Sequence, residues 1–211
     1  MYAGIRRAMA AFWTPLAKLL IRLNISPDVV TIVGAVVTVT LALTLLPTGH
    51  LFWGAVLIGV FALADSLDGV LARLSGHSTV WGAFLDSTLD RFADGAVFAG
   101  ITAYLFLHRS EHFYTWAALA ALACLVLGGI VPYTRAKADS IGANAQVGIF
   151  ERQTRLIIAL VPIGFLQFGL PAVVVAIALT ILALGTLWTV VQRMLAVREQ
   201  VAGQSVPLPQ A

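Results

Sequence analysis

The stretch DSLDGVLARLSGHSTVWGAFLDSTLD, from Asp65 to Asp90, sets four carboxylates and an arginine inside two otherwise apolar runs. On a helix, residues three and four apart share a face. Asp65, Asp68, Gly69, Ala72 and Arg73 therefore form one stripe, and Gly82, Asp86 and Asp90 form a second, which Asp94 continues one turn deeper. Only the short loop Ser75 to Thr79 separates the runs, so they are predicted to be antiparallel neighbours with facing stripes. An ionised carboxylate at mid-membrane costs about 2.5–3.5 kcal/mol even on the lenient insertion scale, and a bound cation is the natural compensator. Carboxylates without Cys or His partners suit hard ions such as Mg²⁺ or Mn²⁺. Four acids from two helices can hold a pair of ions about 3.5–4 Å apart, an arrangement suited to displacement at phosphorus. Arg73 can then hold a phosphate, while Gly69 and Gly82 leave space for a bulky group beside the acids. A proton or cation pathway is the other reading, although a relay would be spread along the membrane normal and these acids cluster near one surface.

The elements that must position these side chains are membrane spans. Of the 211 residues 60% are apolar and 11% charged, with a mean hydropathy of +0.93, which excludes an ordinary soluble domain. A hydrocarbon core about 30 Å thick needs roughly 20 apolar residues per helix. Six such runs lie near Asp28 to Leu46, Leu51 to Leu74, Val80 to Leu107, Phe113 to Ala136, Arg155 to Phe168 and Pro171 to Val197. Before them, Ile5 to Leu23 intersperses Arg6, Arg7, Lys18 and Arg22 with Phe12, Trp13, Leu16, Leu19 and Leu20, the pattern of a helix lying in the membrane surface. The expected fold is therefore all-α and integral to the membrane: six transmembrane helices preceded by an N-terminal amphipathic interfacial helix. Residues 1–25 form the juxtamembrane helix, 26–200 the six-helix domain and 201–211 a cytoplasmic tail.

No cleavable signal peptide is expected, because the N-terminus lacks a compact apolar segment followed by small residues. Basic residues set the orientation. Arg6, Arg7, Lys18, Arg22, Arg73, Arg135, Lys137, Arg152, Arg155, Arg193 and Arg198 fall on one side, against Arg109 in a loop on the other. Both termini are thus expected to be cytoplasmic, in a multi-pass protein of the cell membrane. The single Cys124 can form no intrachain disulfide, and the four histidines sit in or near loops and are not assigned to a metal.

The pattern D-x-x-D-G-x-x-A-R, eight residues, then G-x-x-x-D-x-x-x-D resembles the signature of the CDP-alcohol phosphotransferases at every defined position, from Asp65 to Asp90. The resemblance implies transfer of a phosphatidyl group from CDP-diacylglycerol to an alcohol, with release of CMP. It also implies two Mg²⁺ or Mn²⁺ ions, with Asp65 and Asp86 touching both, Asp68 completing one and Asp90 contacting the other. Asp90 occupies the position of the general base. The donor site would draw on Gly69, Arg73 and Thr79, together with Pro27, Asp28 and Thr31 from SPDVVT at the start of the first span. A homodimer in the lipid bilayer is the implied assembly, and no nucleic acid is expected as a partner.

A second cationic set, Lys137, Arg152, Arg155 and Arg193, lies on the same expected side and could converge on the phosphate of a phosphorylated acceptor. The runs GIFERQTRLIIAL and RLNISPDVVTIVG are most similar to actinobacterial phosphatidylinositol phosphate synthases, which implies inositol 1-phosphate as acceptor. Phosphatidylglycerophosphate synthases, which use glycerol 3-phosphate, are the close alternative. Membrane prenyltransferases also bind a diphosphate through Mg²⁺ and helical aspartates, but they resemble two acidic motifs in separate halves, whereas here all the motif acids lie in one hairpin. A cation transporter is the alternative from another class. Asp94 lies outside the signature, with pairing to Arg91, ligand orientation and simple burial all open.

Overall fold

The computed structural model describes residues 2–64, 66–76, 79–108, 112–148 and 150–202, so Asp65, the first acid of the signature, lies outside the described residues. Among the described residues every regular element is an α-helix: α1 (Tyr2–Arg22), α2 (Pro27–Thr44), α3 (Leu51–Ala64), α4 (Ser66–Ser75), α5 (Val80–Leu107), α6 (His112–Ser140), α7 (Arg152–Leu166) and α8 (Ala172–Val201). The helix starts that matter most are written in short polar signals. At α2, Ser26 is extended (φ −76°, ψ 153°), its hydroxyl accepts the Val29 N–H at 3.4 Å, and Pro27 fills the first turn, where its missing N–H costs nothing. At α5, Thr79 (φ −118°, ψ 155°) caps in the same way, accepting the Gly82 N–H at 2.9 Å.

Among the described residues four stretches are long and apolar enough to cross a membrane: Pro27–Thr44, Leu51–Ser75, Phe113–Ser140 and Ala172–Val201. The other two predicted spans are helices that fall short for different reasons. Every 18-residue stretch of α5 contains at least Asp90, Arg91 and Asp94. With 15 residues, α7 is about 22 Å long against the roughly 30 Å hydrocarbon core.

Helix contacts close into a ring in the order α2, α5, α6, α8, α7, α3 and back to α2. Its core holds Ile58 from α3, Phe98, Ile101 and Leu105 from α5, Ile163 from α7, and Leu179 and Leu182 from α8, all nearly or wholly buried. At Gly100 a Cβ would run into the carbonyl of Ala42, so α2 and α5 meet backbone to backbone, the close approach that small residues permit. Cys124 is a buried free thiol whose Sγ lies 3.4 Å from the Leu179 carbonyl, consistent with a packing role.

Outside the ring, α1 packs on α4 through Ala17 against Leu67, Val70 and Leu71, joined by Trp13, Leu20 and Ile21, while Phe12, Leu19 and Leu23 stay exposed. The acid-bearing α4 is thereby supported by α1. The segment leading into α7 is tied to α8: Gln200 exchanges hydrogen bonds with Asn144, Arg193 Nε donates to the Val147 carbonyl at 3.1 Å, and Phe150 fills the space left by Gly185.

Candidate active site

Three helix ends build one cleft of about 190 Å³. Pro27, Asp28 and Thr31 come from α2; Asp68, Gly69, Ala72 and Arg73 from α4; Gly82, Ala83 and Asp86 from α5, with its cap Thr79. All six residues expected to bind the donor thus line one cavity, together with two of the expected metal ligands. Asp68 is held from both sides, since Thr31 Oγ1 donates to its Oδ2 at 2.5 Å and the Gly69 N–H donates to its Oδ1 at 2.5 Å. Thr31 also lies 3.1 Å from the Pro27 carbonyl, but one hydroxyl proton serves one acceptor well, and the shorter contact is to the carboxylate. Gly82 keeps the cleft open, because a Cβ there would stand 3.3 Å from Asp28 Oδ1 and 3.2 Å from Thr79 Oγ1.

A second, mostly apolar cavity of about 320 Å³ shares Thr31 and Asp68 with the first and reaches Asp90 and Arg152; Leu16, Leu20, Val30, Ala62, Leu67 and Ala93 form much of its wall. Thr31 and Asp68 therefore stand between the polar cleft and the greasy one. A third cavity, about 390 Å³, runs between α3 and α7 from Phe52 and Phe165 to Leu63, with Arg152 and Gln153 also on its lining.

Asp90 is engaged by arginines. Its Oδ1 is 2.8 Å from Arg152 Nη1, and its Oδ2 is 3.5 Å from Arg91 Nη2. One turn on, Asp94 is only 6% exposed and accepts from Arg152 Nε at 2.8 Å and from Arg155 Nη2 at 3.1 Å. Arg155, 3% exposed, spends Nη1 on the Gly128 carbonyl at 3.0 Å. Of the other two expected acceptor residues, Arg193 is buried and donates to the carbonyls of Val131 (2.5 Å) and Val147. It also borders, with exposed Lys137 and with Arg198, a cleft between the ends of α6 and α8. In this structure the four cations therefore fall into two sets: Arg152 and Arg155 meet at Asp94, and Lys137 and Arg193 share the α6–α8 cleft.

As to a metal, no group of three or more His, Cys, Asp or Glu side chains converges among the described residues, which do not include Asp65. The oxygen-only donors are nevertheless arranged for a hard cation: Asp68 and Asp86 line the polar cleft, and Asp68 continues into the cavity of Asp90. What the sequence reading did not anticipate is that Asp94 pairs with Arg152 and Arg155. The available signal was its position on the stripe of Asp86 and Asp90; its partners lie 58 and 61 residues away.

The acid hairpin, the capped start of α2 and the cleft between them define a class of membrane enzyme. Residues 24–191 match CDP-alcohol phosphatidyltransferase, and the chain belongs to that family. Within it, the chain is 43% identical over 180 residues to the phosphatidylinositol phosphate synthase of Corynebacterium glutamicum, covering 85% of this chain and 81% of the relative. It is likewise 43% identical over 195 residues to that of Streptomyces avermitilis, covering 90% and 79%. Its structure is similar to that of Mycobacterium tuberculosis phosphatidylinositol phosphate synthase in complex with manganese and citrate (TM-score 0.86, 38% identity, 94% of this chain and 95% of that one). The same M. tuberculosis protein with CDP-DAG bound gives a TM-score of 0.84 at 37% identity, covering 92% and 98%.

Proposed function

We propose that the protein transfers the phosphatidyl group of CDP-diacylglycerol to inositol 1-phosphate, giving phosphatidylinositol phosphate and CMP. The observation that carries this reading is the single cleft in which Pro27, Asp28, Thr31, Gly69, Arg73 and Thr79 surround Asp68 and Asp86, with Asp90 and Arg152 on the adjoining cavity. The names of the relatives support the acceptor, and the CDP-DAG-bound neighbour supports the donor.

In the proposed step the acceptor hydroxyl oxygen bonds to the β-phosphorus, the bond from that phosphorus to the oxygen of CMP breaks, and CMP departs with the electron pair. Asp90 takes the hydroxyl proton. Asp65, Asp68, Asp86 and Asp90 would hold two divalent cations, Mg²⁺ or Mn²⁺, and such ions would withdraw charge from the diphosphate. The manganese in the neighbour's complex supports a hard divalent ion. Thr31 holds Asp68 in place, Arg73 neutralises a donor phosphate, and Gly69 lets the nucleotide approach the backbone. On the acceptor side, Arg152 beside Asp90, together with Arg155, Lys137 and Arg193, supplies the cationic field for the acceptor phosphate.

The same reading makes α5 and α7 the remaining two spans of six, both termini cytoplasmic, α1 interfacial, and the working unit a homodimer in the cell membrane. Support for the two short-falling spans comes from their places in the ring between accepted ones. The test is to give the purified protein CDP-diacylglycerol and Mn²⁺ with either inositol 1-phosphate or glycerol 3-phosphate, and to follow CMP and lipid product by mass spectrometry. Product from inositol 1-phosphate is expected, falling about 10²–10⁴-fold in Asp90→Asn. Product from glycerol 3-phosphate alone would move the acceptor assignment, and a fully active Asp90→Asn protein would remove Asp90 as the base.

A further inference from the structure

We infer that Asp94 is a positioning residue for the acceptor phosphate: it fixes the guanidinium groups of Arg152 and Arg155 against α5, so that Arg152 reaches Asp90. This rests on the proposed use of a phosphorylated acceptor. Both oxygens of the nearly buried Asp94 are committed, each to a different arginine, at 2.8 and 3.1 Å. Arg152 in turn spans two carboxylates one turn apart on the same helix, with Nε on Asp94 and Nη1 on Asp90. A long side chain held at two points on one rigid element has lost the torsional freedom that would otherwise oppose ligand binding. Because Asp86, Asp90 and Asp94 all stand on α5, the cations are registered to the helix that carries the reacting acids.

Two further observations separate this arrangement from an ordinary structural ion pair. The α7 cap, Glu151, makes no side-chain cap hydrogen bond, and both arginines at the start of that helix reach across to Asp94 on α5. The nearly buried Arg155 keeps its Nε without a hydrogen-bond partner among the described residues, and a spare buried cationic donor suits an anion.

The experiment is Asp94→Asn, which keeps the side chain's shape and removes its charge. It is assayed on the purified protein with CDP-diacylglycerol, Mn²⁺ and both phosphorylated alcohols. The expected result is a rise in KM for inositol 1-phosphate of about 10–100-fold. KM for CDP-diacylglycerol should stay within about twofold, because neither displaced arginine lines the polar cleft proposed for the donor. In EDTA, thermal stabilisation of the protein by inositol 1-phosphate should be lost in the variant. Equal rises in every KM, or a lowered melting temperature with all kinetic constants intact, would overturn the inference by making Asp94 merely structural. If Asp94→Asn does not fold, Asp94→Glu serves: moving the carboxylate by one methylene should raise the acceptor KM about threefold or more, and a wild-type KM would overturn the inference. Should wild-type protein turn over only glycerol 3-phosphate, the acceptor assignment fails, while the same KM split, measured with that alcohol, still decides the role of Asp94.

Discussion

The proposed donor cleft and the proposed acceptor side are built on opposite principles. At the proposed donor cleft the functional groups come from two helices adjacent in sequence and one helix start, and the cation, Arg73, is exposed, with no hydrogen bond or ion pair among the described residues. On the acceptor side the cations are the fold: Arg155 ties α7 to α5 and α6, and Arg193 ties α6 and the Val147 segment to α8. A buried arginine that serves one carboxylate and one carbonyl cannot be removed without taking a donor from each. Variants on the two sides should therefore fail in different ways, one in ligand binding and the other in the protein itself.

The largest effect is expected from Arg155→Ala. Asp94 would lose one of its two guanidinium partners and the Gly128 carbonyl its donor, in a place where Arg155 is 3% exposed. Breaking a buried pair of this kind costs roughly 3–5 kcal/mol. Thermal unfolding of the detergent-purified protein, without substrate, should show a marked drop in the midpoint. An unchanged midpoint would mean that the acceptor side carries no more structural weight than the donor side, and the contrast would collapse.

Arg73→Ala should do the reverse. Its side chain is exposed, so the substrate-free melting temperature should not move, whereas loss of a charge-assisted phosphate contact of about 1.5–3 kcal/mol should weaken CDP binding roughly 10–150-fold. Calorimetric titration with CDP in the presence of Mn²⁺ reads this directly. A Kd equal to that of the wild type would remove Arg73 from the donor site.

The same contrast explains what could be read from the sequence. Asp68, Gly69, Arg73, Asp86 and Asp90 were legible because their relations are local: three- and four-residue spacing fixes a helix face, and a loop of a few residues fixes which helices face one another. The start of α2 was legible because Ser-Pro-Asp is a cap written in consecutive residues. The partners of Asp94 were not, because nothing within its own helix distinguishes Arg91, which turns to Asp90, from Arg152 and Arg155 across the ring. For the same reason Lys137, Arg152, Arg155 and Arg193 read as one cationic set, whereas the structure spends Arg193 on backbone carbonyls. Positive-inside bias and a phosphate pocket leave the same residues in a sequence, and only tertiary packing separates them. α5 was read as a span from its length, and Asp90, Arg91 and Asp94 are what keep it out of the four stretches apolar enough to cross a membrane.

Gly69→Ala gives the smallest effect and the sharpest test of the donor cleft, because its two readouts should move in opposite directions. A Cβ at this position would meet only Arg73 Nη1, at 3.5 Å, an ordinary contact with the end of a flexible side chain. The fold therefore has no need of a glycine inside α4, and alanine should favour the helix by up to about 1 kcal/mol, leaving the melting temperature equal or slightly higher. The cleft does have a use for the missing methyl, since Gly69 lies on its wall between Asp68 and Arg73, where the nucleotide must approach the backbone. CDP-dependent stabilisation in Mn²⁺ should then fall in a protein that is no less stable without ligand. If both readouts rose together, the nucleotide would not touch α4 at this point, and the donor site would contract to the α2 start and the first turn of α5.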